Sequence, residues 1–322
     1  MTETTASDLQ LHTMPVARCP ACHSRAARVI PIGRQTLKRC KDCGLTYAPV
    51  YADPEEIYKE GYHTGEMGSF GVDVSHPEWA ELLEYVGERR MSILESVVHQ
   101  PGRILDVGCG PGHFLAAAAH RGWDAVGVEL VPSAVQTARE QFGLEVHNTM
   151  LEDSGLPEQS FDVIAATHVL EHQVDGIGFL TSIARWARPG GYLFIEVPNW
   201  ASADRLGNVE GWYGLRPLEH VAHYTPRTLA KTMERIGFQP VMVQTPFYLY
   251  ERRQTMGQAL HDFGLTPLGR RLSTPRFTVE GTQRDTVVHM PNPTMWRLIH
   301  GLERCVAGAR LGVVVVMVAR VP

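Results

Sequence analysis

The chain lacks an excess of positive charge. Its 322 residues carry 30 Lys and Arg against 35 Asp and Glu, a formal net charge of −5. No broad basic field is therefore available to grip a nucleic-acid backbone. It lacks long apolar runs as well. The longest, Leu311 to Ala319, is too short to cross a bilayer and suits a buried strand. The polar N-terminus has no apolar segment of the secretory kind, so a cytoplasmic location is the expectation. Cysteine is scarce at six residues, which points to metal or chemistry before a disulfide framework. What remains, 44% hydrophobic and 20% charged, is the composition of an ordinary globular protein long enough for one large domain and an accessory module.

Four of the six cysteines form a pattern. Cys19-Pro-Ala-Cys22 and Cys40-Lys-Asp-Cys43 are separated by seventeen residues, and each C-x-x-C turn can aim both sulfurs at one ion. Four thiolates make the closed tetrahedral set preferred by structural zinc, with no open position for catalysis. The intervening segment reads as a β-hairpin, giving a zinc ribbon over 15–50 behind a disordered leader at 1–14. The basic residues Arg34, Lys38, Arg39 and Lys41 lack the aromatic interleaving of a nucleic-acid surface.

Residues 51–100 read as a helical linker or lid. Asp53-Pro54 with Glu56 is a helix start, and Tyr58 and Tyr62 share a face if that helix continues. Pro77 to His99 reads as an amphipathic helix. From 101 the pattern alternates strand and helix. Arg103-Ile-Leu-Asp-Val-Gly-Cys-Gly-Pro-Gly112 reads as a buried strand, a glycine turn and a helix start, which together cradle a nucleotide-like ligand. Its G-x-G-x-G spacing, with Asp106 just ahead of the first glycine, departs from the dinucleotide fingerprint. Strands are expected near 125–129, 144–147, 161–166, 192–197, 241–243 and 312–319, with an insertion at about 251–308 before the last. This rhythm predicts an α/β, doubly wound, largely parallel sheet whose ligand lies at the carboxyl ends of the strands. Glu129 ends the second strand, where an acid can accept ribose hydroxyls. Leu151 with Glu152 or Asp153 would flank the base, and Thr167 and His168 follow the fourth strand.

Asp106-Val-Gly-Cys-Gly-Pro-Gly112, Val128-Glu129, Phe161-Asp162, Val169-Leu-Glu-His172 and Arg188-Pro-Gly-Gly191 together resemble the class I S-adenosylmethionine-dependent methyltransferases over about 100–250. The resemblance implies a Rossmann-like sheet of seven strands with the last antiparallel. It implies S-adenosylmethionine as methyl donor, with Asp106 and the glycines on its methionine part and Glu129 on its ribose. The expected cofactor set is Asp106, Gly108, Cys109, Gly110, Glu129, Leu130, Leu151, Glu152, Thr167, His168 and Tyr62. The ribbon, the Tyr-x-x-x-Tyr stretch and Glu219-His220 are similar to a small-molecule branch that includes sugar C-methyltransferases, where a Glu-His pair is associated with general-base catalysis. That implies O- or C-methylation of a small-molecule, natural-product or sugar-like acceptor. His220 is the first candidate base with Glu219 orienting it, and His223 is the second. Trp200, Trp212 and Tyr213 are expected along the acceptor pocket. Two other readings stay open: an RNA methyltransferase with a zinc module, and a non-catalytic protein that retains the fold.

Overall fold

The computed structural model describes residues 11–33, 35–58, 62, 77–207, 209–216, 218–246 and 308–322. The expected insertion at 251–308 lies almost wholly outside the described residues, as do residues 1–10 of the expected leader. Thr13–Pro15 are not part of a leader. They form β1, paired antiparallel with β5 (Val50–Ala52). Between them lie β2 (Ala27–Ile32), β3 (Gln35–Cys40) and β4 (Thr46–Tyr47). The β2–β3 pair is the hairpin that the cysteine spacing predicts.

A short helix α1 (Pro54–Ile57) begins as expected, with the Asp53 carboxylate accepting from Glu55 N at 3.1 Å. It stops before Tyr58, so a continued helix does not bring the tyrosines together. The two rings are nonetheless close, with centroids 5.1 Å apart. Then come α2 (Pro77–Glu95), β6 (Arg103–Val107), α3 (His113–His120), β7 (Asp124–Val128), α4 (Pro132–Phe142) and β8 (Glu145–His147). They are followed by β9 (Phe161–Thr167), α5 (Gly176–Ile183), β10 (Ala187–Pro198), α6 (Ala203–Gly207), β11 (Ala222–His223), α7 (Pro226–Arg235), β12 (Gln239–Gln244) and β13 (Val314–Arg320).

The large sheet has seven strands in the order β12-β13-β10-β9-β6-β7-β8. Strands β8, β7, β6, β9 and β10 run parallel, and β13 is antiparallel to both of its neighbours. The expected fold class is therefore present, including the antiparallel last strand. β13 reads Val-Val-Val-Met-Val-Ala before Arg320 and is buried over those six residues, as a strand covered on both faces must be. The chain order reverses between β6 and β9, so a crevice opens there at the strands' carboxyl ends. The ribbon does not stand apart. Its sheet has the order β11-β4-β3-β2, and β11 comes from the α/β domain. No helix among the described residues is long and apolar enough to cross a membrane.

Candidate active site

A cavity of about 220 Å³ lies at the switch point, lined by Tyr58, Tyr62, Val107, Gly108, Val128 to Val131, Thr149 to Glu152, His168, Val169, His172, Gln173, Phe179 and Ile183. The turn after β6 forms its floor. Gly108 has φ +74°, and a Cβ there would stand 2.8 Å from Val169 Cγ2, so the turn needs a residue without a side chain. Glu129 is fixed by three backbone N–H groups. Gly110 N donates to Oε2 at 2.9 Å, and Leu130 N and Val131 N donate to Oε1 at 2.8 and 2.9 Å. A carboxylate has about four lone-pair positions, so one remains to face the cavity.

Asp106 lies behind this floor, 1% exposed, and neither of its carboxylate oxygens has a hydrogen-bond partner. Burial drives its pKa up to about 7, with Glu129 and Glu196 adding to the shift and Arg90 opposing it. A buried acceptor pair of this kind calls for a cationic donor. The amino group of a methionine moiety meets that need, so the residues fit S-adenosylmethionine. Of the expected cofactor set, Gly108, Glu129, Leu130, Leu151, Glu152, His168 and Tyr62 line the cavity. Asp106, Cys109, Gly110 and Thr167 do not: Asp106 is buried next to the lining residue Val107, Cys109 packs near Gly127, Gly110 acts through Glu129, and Thr167 pairs in the sheet with Glu196.

Beside the cavity, His168 adopts φ +57°, which is uncommon for a residue with a side chain. Its ring is held between Glu171 Oε1 and Glu196 Oε1, both at 3.1 Å. Burial disfavours its charge, but the two carboxylates outweigh that and raise its pKa to about 9. Glu196 is pulled down to about 2 against the effect of burial, chiefly by Arg90, whose Nη2 lies 2.5 Å away. His168 is thus a structural imidazolium and not a free base. The sequence pattern gave no sign of this, because Arg90 and Glu196 come from distant elements.

The expected catalytic residues separate. One nitrogen each from His172 and His220 and one oxygen of Glu171 all lie within 4.8 Å of one another. His172 Nδ1 faces the Glu219 carbonyl at 3.1 Å and His220 Nδ1 the Gly214 carbonyl at 3.0 Å. Each Nδ1 therefore carries the hydrogen in a neutral ring, leaving Nε2 with its lone pair. Glu171 Oε2 is buried without a partner. The three groups can hold a metal ion or surround a hydroxyl. Burial, with His172 and Arg216, holds the pKa of His220 well below the ordinary value, so the ring is neutral near pH 7.

Glu219 does not orient His220. Its carboxylate accepts from the Tyr62 hydroxyl at 2.5 Å and from Arg216 Nη1 at 3.1 and 3.2 Å. His223 stands elsewhere, its ring 4.8 Å from that of Trp200, and burial lowers its pKa to about 3. Trp200, Trp212 and Tyr213 do not line the cavity. Trp212 is buried with Leu37 and Ala48 of the ribbon, and the other two pack against that cluster. Glu171 is the residue that sequence reasoning missed. Only its place beside His172 marked it, and a glutamate there is equally a helix-surface residue.

At the other end of the ribbon, Cys19 Sγ and Cys43 Sγ are 3.5 Å apart, as are Cys22 Sγ and Cys40 Sγ. All four sulfurs lie within 4.8 Å of one another, and none is in a disulfide.

A model of the methyltransferase-domain family matches residues 78–243, just over half of the chain. The chain is 29% identical over 213 residues to a ubiquinone biosynthesis O-methyltransferase of Methylococcus capsulatus, covering 58% of this chain and 90% of that protein. It is 35% identical over 150 residues to the protein so named in Cereibacter sphaeroides, covering 43% of this chain and 61% of that one. Against that second relative the chain thus spans about three fifths of the length. A solved methyltransferase structure from Archaeoglobus fulgidus has a TM-score of 0.47 at 17% identity, covering 74% of this chain and 94% of that one. With the glycine turn, the orphaned Asp106 and the clamped Glu129 in place, the family match identifies the chain as a member of the methyltransferase-domain family and an S-adenosylmethionine-dependent methyltransferase.

Proposed function

We propose that this enzyme methylates a hydroxyl oxygen of a small-molecule acceptor, and that the acceptor oxygen is received by Glu171, His172 and His220. The observation that carries this reading is their convergence. Three groups with free lone pairs meet beside the donor cavity, where a hydroxyl can donate its single O–H to one of them. Relatives named for O-methylation in ubiquinone biosynthesis support an oxygen acceptor.

When bound, S-adenosylmethionine supplies a methyl group on a sulfonium, which is already a good leaving group. The protein's tasks are alignment and removal of the hydroxyl proton. Asp106 would hold the amino group, Glu129 the ribose, and Leu151 and Phe179 an apolar wall. His220, neutral and with Nε2 unprotonated, takes the proton. His172 lies edge-on to it at a ring-centroid distance of 4.7 Å and keeps the acceptor oxygen in line. Tyr58 and Tyr62 close the cavity, Tyr62 being tied to Glu219. Where a cationic sulfonium sits beside them, their faces favour it.

The four thiolates fit one zinc ion. Their number, spacing and separation match a closed structural site, so zinc would stabilise the ribbon and supply no chemistry. The test of function is a screen of phenolic, enolic and sugar hydroxyl compounds for mass gain of one methylene with S-adenosylmethionine, repeated with His220→Gln. An acceptor methylated at nitrogen, or unchanged turnover in the variant, would overturn the assignment.

A further inference from the structure

The ribbon is hydrogen-bonded through its main chain to the segment that carries His220. β11 is the fourth strand of the ribbon sheet, with Ala222 opposite Tyr47 and His223 opposite Thr46. On either side of His220 the seam continues: Ala48 N donates to Val221 O at 2.8 Å and Ala52 N to Leu218 O at 3.0 Å. Thr46 and Tyr47 pair in turn with Arg39 and Lys38 on β3, next to Cys40. A second seam joins the first knuckle to the start of α5. Ile177 N donates to Pro20 O at 3.3 Å, and His23 Nε2 lies 2.7 Å from Asp175 Oδ1. Cys19, Cys40 and Cys43 are buried in a core cluster that reaches Leu170 and Val221, next to Glu171 and His220 in sequence. The cluster also reaches Leu105, Val107 and Val128 of the donor-side strands, so the distinction between the two sides lies in the main-chain bonds. By contrast, the carboxylate of Glu129 is held only from 110–131, and Gly108 N donates to Val128 O at 2.9 Å. Among the described residues, Asp106, Gly108 and Glu129 make no hydrogen bond to the ribbon.

We propose that the metal in the four-thiolate centre positions the proton acceptor. With zinc bound, β3 and β4 are fixed and hold residues 218–223, and so keep His220 beside His172 at the edge of the cavity. When zinc is lost, the four sulfurs repel one another as thiolates or separate as thiols. The β4–β11 seam then opens and His220 leaves its place while the donor site stands. Metal release would switch off the acceptor half alone. This rests on the reading of the thiolates as a zinc site and of His220 as the acceptor-side base.

The experiment uses the full chain, before and after zinc is stripped with a chelator under reducing conditions. It reads backbone hydrogen exchange by mass spectrometry and S-adenosylhomocysteine affinity by calorimetry. After stripping, peptides covering 216–224 should exchange on the order of tenfold faster, while those covering 104–112 keep their protection. The affinity for S-adenosylhomocysteine should stay within about twofold. Ala48→Pro, which removes the N–H that bonds Val221 O, should reproduce the faster exchange at 216–224 and the lost turnover while one zinc is retained. Unchanged exchange at 216–224 after stripping would overturn the proposal. So would parallel loss of homocysteine-ligand binding, because the coupling would then be global, or an Ala48→Pro variant that behaves as wild type. None of the exchange or calorimetric readings needs an acceptor, so failure of the acceptor assignment is separately visible.

Discussion

Asp106 links the donor site to pH in a way that can be worked through. The carboxyl is raised from 3.8 to about 7 by burial, whereas a cationic amino group would draw it back to the ionised form. Below pH 7 the ligand-free protein holds a proton that binding must expel. Above pH 7 it does not. About 10% of Asp106 is ionised at pH 6 and about 90% at pH 8, so the affinity for S-adenosylhomocysteine should rise about tenfold over that span, or about 1.4 kcal/mol. Calorimetry in two buffers of different ionisation enthalpy should show close to one proton released at pH 6 and almost none at pH 8. Asp106→Asn should abolish both the slope and most of the binding. The sign for stability is opposite. A carboxyl whose folded pKa is raised binds its proton more tightly when folded, so the stability that Asp106 contributes is fully present below pH 3.8. That contribution is lost as pH climbs through 7, by up to about 4 kcal/mol. Asp106→Asn should therefore raise the melting temperature of the ligand-free protein at pH 8 and leave it little changed at pH 4. A pH-independent affinity, or an Asn variant that melts lower at pH 8, would refute the argument.

Other outcomes follow from single contacts. His220→Gln should lower kcat by about 10²–10⁴-fold with S-adenosylhomocysteine affinity unchanged, as expected for loss of a general base. Because the His220 pKa is held well below 6.5, kcat at saturation should show no histidine limb near pH 6.5; a limb there would move the role to another group. Gly108→Ala combines φ +74° with a 2.8 Å approach to Val169 and should cost on the order of 1–3 kcal/mol of stability together with donor affinity, both readable from ligand-dependent melting. Tyr62→Phe removes the 2.5 Å bond to the buried Glu219 and should raise the acceptor KM, with a stability cost of about 1–3 kcal/mol for the carboxylate left with Arg216.

The sequence by itself determined the features that depend on neighbours in the chain. The alternation of apolar strands and helices led to the doubly wound sheet, and the two C-x-x-C turns to the thiolate cluster. The glycine turn and the acid at Glu129 marked part of the cavity, because Gly108 and Glu129 follow two consecutive strands. Boundaries moved where local signals were weak. Thr13–Pro15 became a strand only because β5 offered a partner, and β10 begins at Ala187 because Gly190 with φ +74° lets the chain pass through a register shift. The acceptor side was decided by tertiary structure alone. Glu171, His172 and His220 are up to 49 positions apart in the chain, and no periodicity brings them together. Arg90 and His168 meet the carboxylate of Glu196 only across distant parts of the chain. Glu219 was drawn to Tyr62 and Arg216 instead of His220, and His223, on β11, packs against Trp200. The ribbon, legible as a separate module, proved to share a sheet with the segment that carries His220. A hydrogen-bonded seam between residues 46–52 and 218–223 leaves no trace in either stretch read alone.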